Sequence, residues 1–241
     1  MGRLERAWNL PDLSSQVVVV TGASGNLGRA VSTLLAQAGA ALVLLDRSLQ
    51  SEPIDYHDRT LVAGGLDLTD PEAIAAVLDQ AVQRFGRVDG LVSTVGAFAG
   101  GTPVHEQDWA VWEAMLTANL RTAVAACQAV VPLLIDHGGR IVLVGARPGT
   151  AGVGGMAAYS ASKAAVLRLG ESFADELKSR NVTVNCVLPS IMDTPQNRAA
   201  MPKVDVTRWV PLEDVAQVIL FLLSDAARSI TGASIPVYGR S

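Results

Sequence analysis

Apolar, β-branched runs of strand length alternate along this chain with stretches whose apolar positions return at helical spacing. Residues 16–28 set the pattern: Gln-Val-Val-Val-Val-Thr-Gly-Ala-Ser-Gly-Asn-Leu-Gly is an apolar run, a glycine-rich turn, and the start of a helical pattern over Asn26–Ala38. Strands follow at Ala41–Leu45 and Thr60–Gly65, then a helix over Asp70–Phe85 with Pro71 in its first turn, where a missing N–H is harmless. Val88–Val95 reads as a buried strand ending in small residues and Asp108–Ile135 as a long helix punctuated by Pro132. Arg140–Gly145 is the next strand, Ala157–Arg180 a helix and Asn181–Leu188 a strand. Residues 189–210 form a loop rich in Pro and polar residues, before a helix at Leu212–Leu223 and a last strand at Ala233–Tyr238. Strands separated by helices imply right-handed crossovers and a parallel sheet covered on both faces. The fold class is α/β: a doubly wound parallel sheet of about seven strands in a single domain over 1–241, with ligands at the strand C-termini. Gly22, Asp46, Gly96 and Pro189 all fall there.

The first strand, glycine turn and helix have the order of a Rossmann dinucleotide loop. Gly22, Gly25 and Gly28 let the backbone turn tightly and approach a pyrophosphate, whose charge the free amides at the helix N-terminus would bind. Ser24, Asn26 and Leu27 complete this loop. The strand Ala41–Leu45 ends in Asp46, eighteen residues after Gly28, where a carboxylate can accept hydrogen bonds from an adenosine ribose and would repel a 2′-phosphate. NAD(H) is the preferred cofactor on that ground. Arg47 leaves NADP(H) open, since an arginine turned inward pairs with the phosphate, and a solvated strand end remains the plain alternative for the pair.

Composition narrows the classes. With 241 residues, 49% of them hydrophobic, and 22 glycines, the chain can bury one large core. The net charge is −4 and no basic run exists, so nucleic acid is not an expected partner. The purely apolar stretches, such as Val215–Leu223 broken by Gln217, are too short to span a bilayer. Met1-Gly2-Arg3-Leu4-Glu5-Arg6 lacks a signal-peptide apolar region and carries Arg6 where myristoylation needs Ser or Thr, so a cytoplasmic protein is expected. Cys127 and Cys186 read as buried thiols, and His57, His105 and His137 are scattered without metal spacing. Trp109 and Trp112 share a helix face and read as packing or interface groups; Trp209 is an equal candidate for a pocket wall.

The candidate chemistry is Tyr159-Ser160-Ala161-Ser162-Lys163, a phenol and an ammonium four residues apart on one helix face. A phenol titrates near ~10, and a cation close by favours the phenolate and lowers that value. Such a pair alone is common on amphipathic helices, but here it follows a nucleotide loop.

Taken together these landmarks resemble a short-chain dehydrogenase/reductase over essentially the whole length. The resemblance implies that Asp67-Leu68 holds the adenine ring, that Tyr159 donates a proton and that Lys163 binds the nicotinamide ribose. It implies that Asn119 supports a water behind Lys163, that Ser93, Val95 and Gly96 line the cofactor, and that Pro189, Ile191 and Thr194 close over the carboxamide. The departures are specific. The family's serine, thirteen residues before the tyrosine, is Ala146; the turn after the fourth strand is Ser93-Thr94-Val95-Gly96; and the second glycine of the loop is Asn26, with Gly25 one residue earlier. Thr94, Arg147 and Thr150 are positional candidates for the missing donor. Segments 143–147, 96–101 and 188–198 are similar to those of dihydropteridine reductase-like members, whose electron-poor quinonoid substrates accept hydride without a serine. The implied activity is hydride transfer between a nicotinamide and a small carbonyl, alcohol or quinonoid imine. The alternative is a catalytically weakened member that acts as a dinucleotide-bound sensor or partner protein. The Ala- and Leu-rich outer faces of 108–135 and 157–180 suggest a homotetramer or dimer, and the 189–210 loop is expected to cover the substrate.

Overall fold

Seven parallel strands form one sheet in the order β3-β2-β1-β4-β5-β6-β7 in this computed structural model, which describes residues 10–48 and 58–240. His57 and the Met1–Arg6 segment lie outside the described residues. The strands are β1 (Val17–Thr21), β2 (Ala41–Leu45), β3 (Thr60–Ala63), β4 (Gly90–Ser93), β5 (Gly139–Val144), β6 (Val182–Pro189) and β7 (Ser234–Val237). Between them run α1 (Asn26–Gln37), α2 (Pro71–Phe85), α3 (Trp109–Met115), α4 (Thr122–Leu134), α5 (Ala157–Leu177), α6 (Pro195–Ala200) and α7 (Leu212–Leu223). Because the strand period is two, β1 presents Val17 and Val19 to one face and Val18 and Val20 to the other. The first pair packs in a core with α2, α4 and α5, the second in a core with α1 and α7. That two-sided burial is why β1 reads as an unbroken apolar run.

The strand order reverses between β1 and β4, where β1 pairs β2 through Val17↔Ala41 and β4 through Val18↔Gly90. A crevice opens at such a switch point, outside the strand C-termini. The expected elements are all present, with three local differences. The 108–135 helix is two helices joined by a π-helical turn over Leu116–Arg121, in which the Thr122 amide bonds to Thr117. The extra residue in the turn swings Asn119 into the interior, a feature with no hydropathy signature. Asn181 adopts a left-handed conformation (φ 56°) after a 3-10 turn at Lys178–Arg180, so β6 begins at Val182 and not at Asn181. The 189–210 loop contains α6, which starts at Pro195 with the Thr194 hydroxyl accepting from the Asn197 amide. The α3–α4 run, Trp109–Leu134, is long and apolar enough to cross a membrane by length and composition, though Glu113, Asn119 and Arg121 interrupt its apolar stretches; half of it is buried in the fold.

Candidate active site

β1 ends at Thr21, and Gly22 takes a positive φ of 73° to turn the chain under the N-terminus of α1. A Cβ on Gly22 would lie 2.7 Å from the Thr94 hydroxyl, and one on Gly28 only 2.1 Å from the Gly22 carbonyl. Both positions therefore exclude side chains. Gly25 caps α1 without a side-chain hydrogen bond, and the first turn carries no acid. The amides of Asn26, Leu27 and Gly28 are thus left facing an uncompensated positive helix end, which suits an anion. The Asn26 side chain turns away from this cradle and its Nδ2 donates to Gln196 Oε1 of α6 at 2.8 Å.

Asp46 closes the other side of the cradle. Its Oδ2 accepts from the Ser24 amide (2.9 Å) and its Oδ1 from the Ser48 amide and hydroxyl (3.0 and 3.3 Å). Burial alone would raise its pKa, but the hydrogen bonds from Ser24 and Ser48 overcome that and hold the pKa below the usual carboxylate range. The carboxylate is therefore ionised at neutral pH and keeps lone pairs for a diol. Arg47, Ser48, Asp67 and Leu68 line the same end, with Thr69 donating to Asp67 through amide and hydroxyl.

Tyr159 and Lys163 project from the first turns of α5 into one cleft of about 1270 Å³ that also contains the glycine cradle. The expected lowering of the phenol pKa by its lysine is absent: burial pushes Tyr159 up to about 12. Burial pulls Lys163 down to about 8, and its Nζ donates to the Val144 carbonyl at 2.9 Å. Gly96 makes room for that ammonium, since a Cβ there would sit 3.1 Å from Nζ. Phe98 meets the Tyr159 ring edge to face, with centroids 5.0 Å apart.

Of the residues singled out from the sequence, the structure brings Gly22, Ser24, Gly25, Asn26, Leu27, Gly28, Asp46, Arg47, Asp67, Leu68, Val95, Gly96, Tyr159, Lys163, Pro189, Ile191 and Thr194 into the lining of this cleft. Two do not join it. Ser93, the last residue of β4, is still paired in the sheet opposite Thr21 and buried there, accepting from the Thr21 hydroxyl at 3.4 Å. Asn119 is buried behind the cleft: its Oδ1 accepts from the Ala97 amide and its Nδ2 donates to the Ala97 carbonyl and the Ser162 hydroxyl. Trp209 is also buried and is not among the residues lining this cleft, whereas Trp109 and Trp112 stack on each other at 6.1 Å. Among the described residues no cluster of metal-ligating side chains exists; His105 faces Glu106 and His137 bonds the Val88 carbonyl. Sequence reasoning missed Ser48, Phe98, Met156 and Asn197 as lining residues. Only Phe98, an aromatic in an otherwise glycine-rich turn, carried a visible signal.

The model of the short chain dehydrogenase family matches residues 16–205. The chain belongs to that family. A 3-oxoacyl-[acyl-carrier-protein] reductase of Thermotoga maritima is 33% identical, the match covering 94% of this chain and 98% of the relative. A cis-4-hydroxycyclohexanecarboxylate dehydrogenase of Sinomonas cyclohexanicum is 35% identical over 94% of this chain and 96% of its own. Carveol dehydrogenase from Mycobacterium avium, solved in complex with NAD, superposes with a TM-score of 0.84 at 27% identity, over 95% of this chain and 98% of that one. As a family member the protein is an oxidoreductase, and its glycine cradle, uncapped helix end and ionised Asp46 fit a nicotinamide dinucleotide.

Proposed function

We propose that the protein is an NAD(H)-dependent reductase or dehydrogenase of a small carbonyl, alcohol or imine-like substrate, with Tyr159 as proton donor. The observation that carries this reading is the meeting of Tyr159 and Lys163 with the glycine cradle in one cleft. When bound, the reduced nicotinamide supplies the hydride. Tyr159, with a pKa near about 12, keeps its proton at neutral pH and releases it to a strongly basic oxygen formed beside it. Lys163 binds the nicotinamide ribose and is still cationic at pH 7, so it stabilises the phenolate left behind. Asn119 acts indirectly, holding the Ala97 turn and α5 in register; the water it would support lies behind Lys163. Asp46 selects NADH by its charge, with NADPH left to Arg47 as the second option. Residues 189–210 close over the substrate, the whole of 1–241 working as one unit.

A second reading is favoured by one observation. Ala146 lines the cleft where the family places its serine, so a donor worth about 10²–10³ in rate is missing. On that reading the protein is a weakened member that serves as a dinucleotide-bound sensor. NADH fluorescence titration followed by a carbonyl panel monitored at 340 nm separates the two: binding with turnover supports the enzyme, binding without turnover the sensor. Free buried thiols at Cys127 and Cys186 suit a reducing, cytoplasmic setting. A homotetramer or dimer would pack on α3–α4 and α5.

A further inference from the structure

Three features around Tyr159 limit the acceptor that the cleft can serve. The first is the shortage of donors. A hydroxyl has a single proton. Those of Thr94, Thr122 and Ser190, all lining the cleft, go to the carbonyls of Thr21, Ala118 and Tyr238, each at 2.8 Å. Thr150, the remaining hydroxyl among the positional candidates, donates to the Arg147 carbonyl at 2.8 Å. The Arg147 guanidinium stacks over the Tyr238 ring, 5.1 Å from its centroid. Ala146 contributes only a methyl. Of these hydroxyls and the Tyr159 phenol, the phenol alone is placed to polarise an acceptor oxygen.

The second feature is the wall. Phe98 is 62% exposed although its ring packs at a steep angle against Tyr159, and Val153, Met156, Ile191 and Met201 line the same cleft. An exposed aromatic beside a reacting group, in a cleft that apolar side chains also line, offers a stacking surface for a flat apolar body. The third is that the flexible Met156 and Met201 adapt to ring shape without adding polarity.

We infer that the acceptor is a flat, apolar vicinal dione of the ortho-quinone type, activated by its own second carbonyl, an assignment that rests on the proposed hydride transfer. The step balances as follows: hydride from the reduced nicotinamide forms a C–H bond at one carbonyl carbon, the C=O π pair moves to oxygen, and Tyr159 supplies the proton. The dione is reduced by two electrons to a hydroxyketone, the nicotinamide is oxidised, and the phenolate regains its proton from water. A simple ketone, lacking that internal activation, needs the second donor that Ala146 removes.

The probes are 9,10-phenanthrenequinone, cyclohexanone, pyruvate and a quinonoid dihydropterin, each with NADH. The quinone is expected to exceed cyclohexanone in kcat/KM by about a hundredfold or more, and Ala146→Ser to raise cyclohexanone about tenfold while moving the quinone less than about threefold. Phe98→Ala is expected to weaken quinone binding to the enzyme with oxidised cofactor, read by calorimetry, about fivefold. A preference for cyclohexanone, pyruvate or the pterin would overturn the assignment, as would equal effects of Ala146→Ser on both ketones or unchanged binding in Phe98→Ala. So would an Arg147→Met variant that loses the quinone turnover, since the guanidinium would then be the donor. NADH binding with no acceptor reduced at all would instead overturn the proposed function, and the assignment with it.

Discussion

Replacing Lys163 by methionine should make the protein more stable, and the gain should depend on pH in a way set by the burial of the ammonium. Lys163 is buried, and its pKa falls from 10.5 to about 8. Between those values the unfolded chain binds more protons than the folded one, so stability rises with pH there, and the penalty for the buried charge is largest below pH 8. At about 1.36 kcal/mol per unit, roughly 3 kcal/mol is lost at pH 7 and about half of that at pH 9.5. The variant also loses the bond from Nζ to the Val144 carbonyl, worth about 1 kcal/mol at either pH. The net expectation is a gain of about 2 kcal/mol at pH 7 that shrinks to near zero at pH 9.5. Burial pushes Tyr159, Cys127 and Cys186 up to about 12, so they lower stability as pH rises through their unfolded values; all three are present in both proteins, and among them only Cys186, whose pKa the Lys163 charge pulls down, responds to the substitution. Urea unfolding followed by tryptophan fluorescence at the two pH values measures the difference. A variant less stable at pH 7, or a difference that is the same at both pH values, would refute the reasoning.

The remaining predictions concern the cradle and its rim. Asp46→Ala should shift the ratio of NADPH to NADH dissociation constants at least about tenfold toward NADPH by removing like-charge repulsion, and equal ratios in variant and natural protein would show that Asp46 does not select the cofactor. Asn26→Gly removes the bond to Gln196, worth about 1 kcal/mol, and should speed NADH release about fivefold in stopped-flow displacement; an unchanged rate would mean that α6 does not hold the cofactor in. Gly28→Ala forces a Cβ to within 2.1 Å of the Gly22 carbonyl, so the α1 N-terminus must move and NADH affinity should fall by more than about tenfold, as read by fluorescence titration.

The strands and the cleft were legible because each depends on short-range pattern. β1 and β2 are covered on both faces and so appear as plain apolar runs, and Gly22 and Gly28 are glycine because the Thr94 hydroxyl and the Gly22 carbonyl leave no room. Asp46 was legible from its place at the end of β2. What failed depended on tertiary surroundings. The phenol pKa was expected to fall because Lys163 lies four residues on, yet the interior that buries both groups penalises each charge and moves the two values in opposite senses. The resemblance implies that Ser93 lines the cofactor, yet its side chain is buried at the end of β4; Asn119, implied to act from behind Lys163, does lie behind the cleft, held there by the π turn. The Asn26–Gln196 bond joins residues 170 apart, which no local pattern shows.

The most direct test of the account is the rate of NADH oxidation by the natural protein and by Tyr159→Phe, with the best acceptor of the panel, beside the NADH dissociation constants of both. The variant is expected to lose at least about tenfold in turnover while its NADH affinity stays within about twofold, because the phenol supplies the proton and not the binding. An unchanged turnover in Tyr159→Phe would contradict the central claim that this side chain completes the hydride transfer.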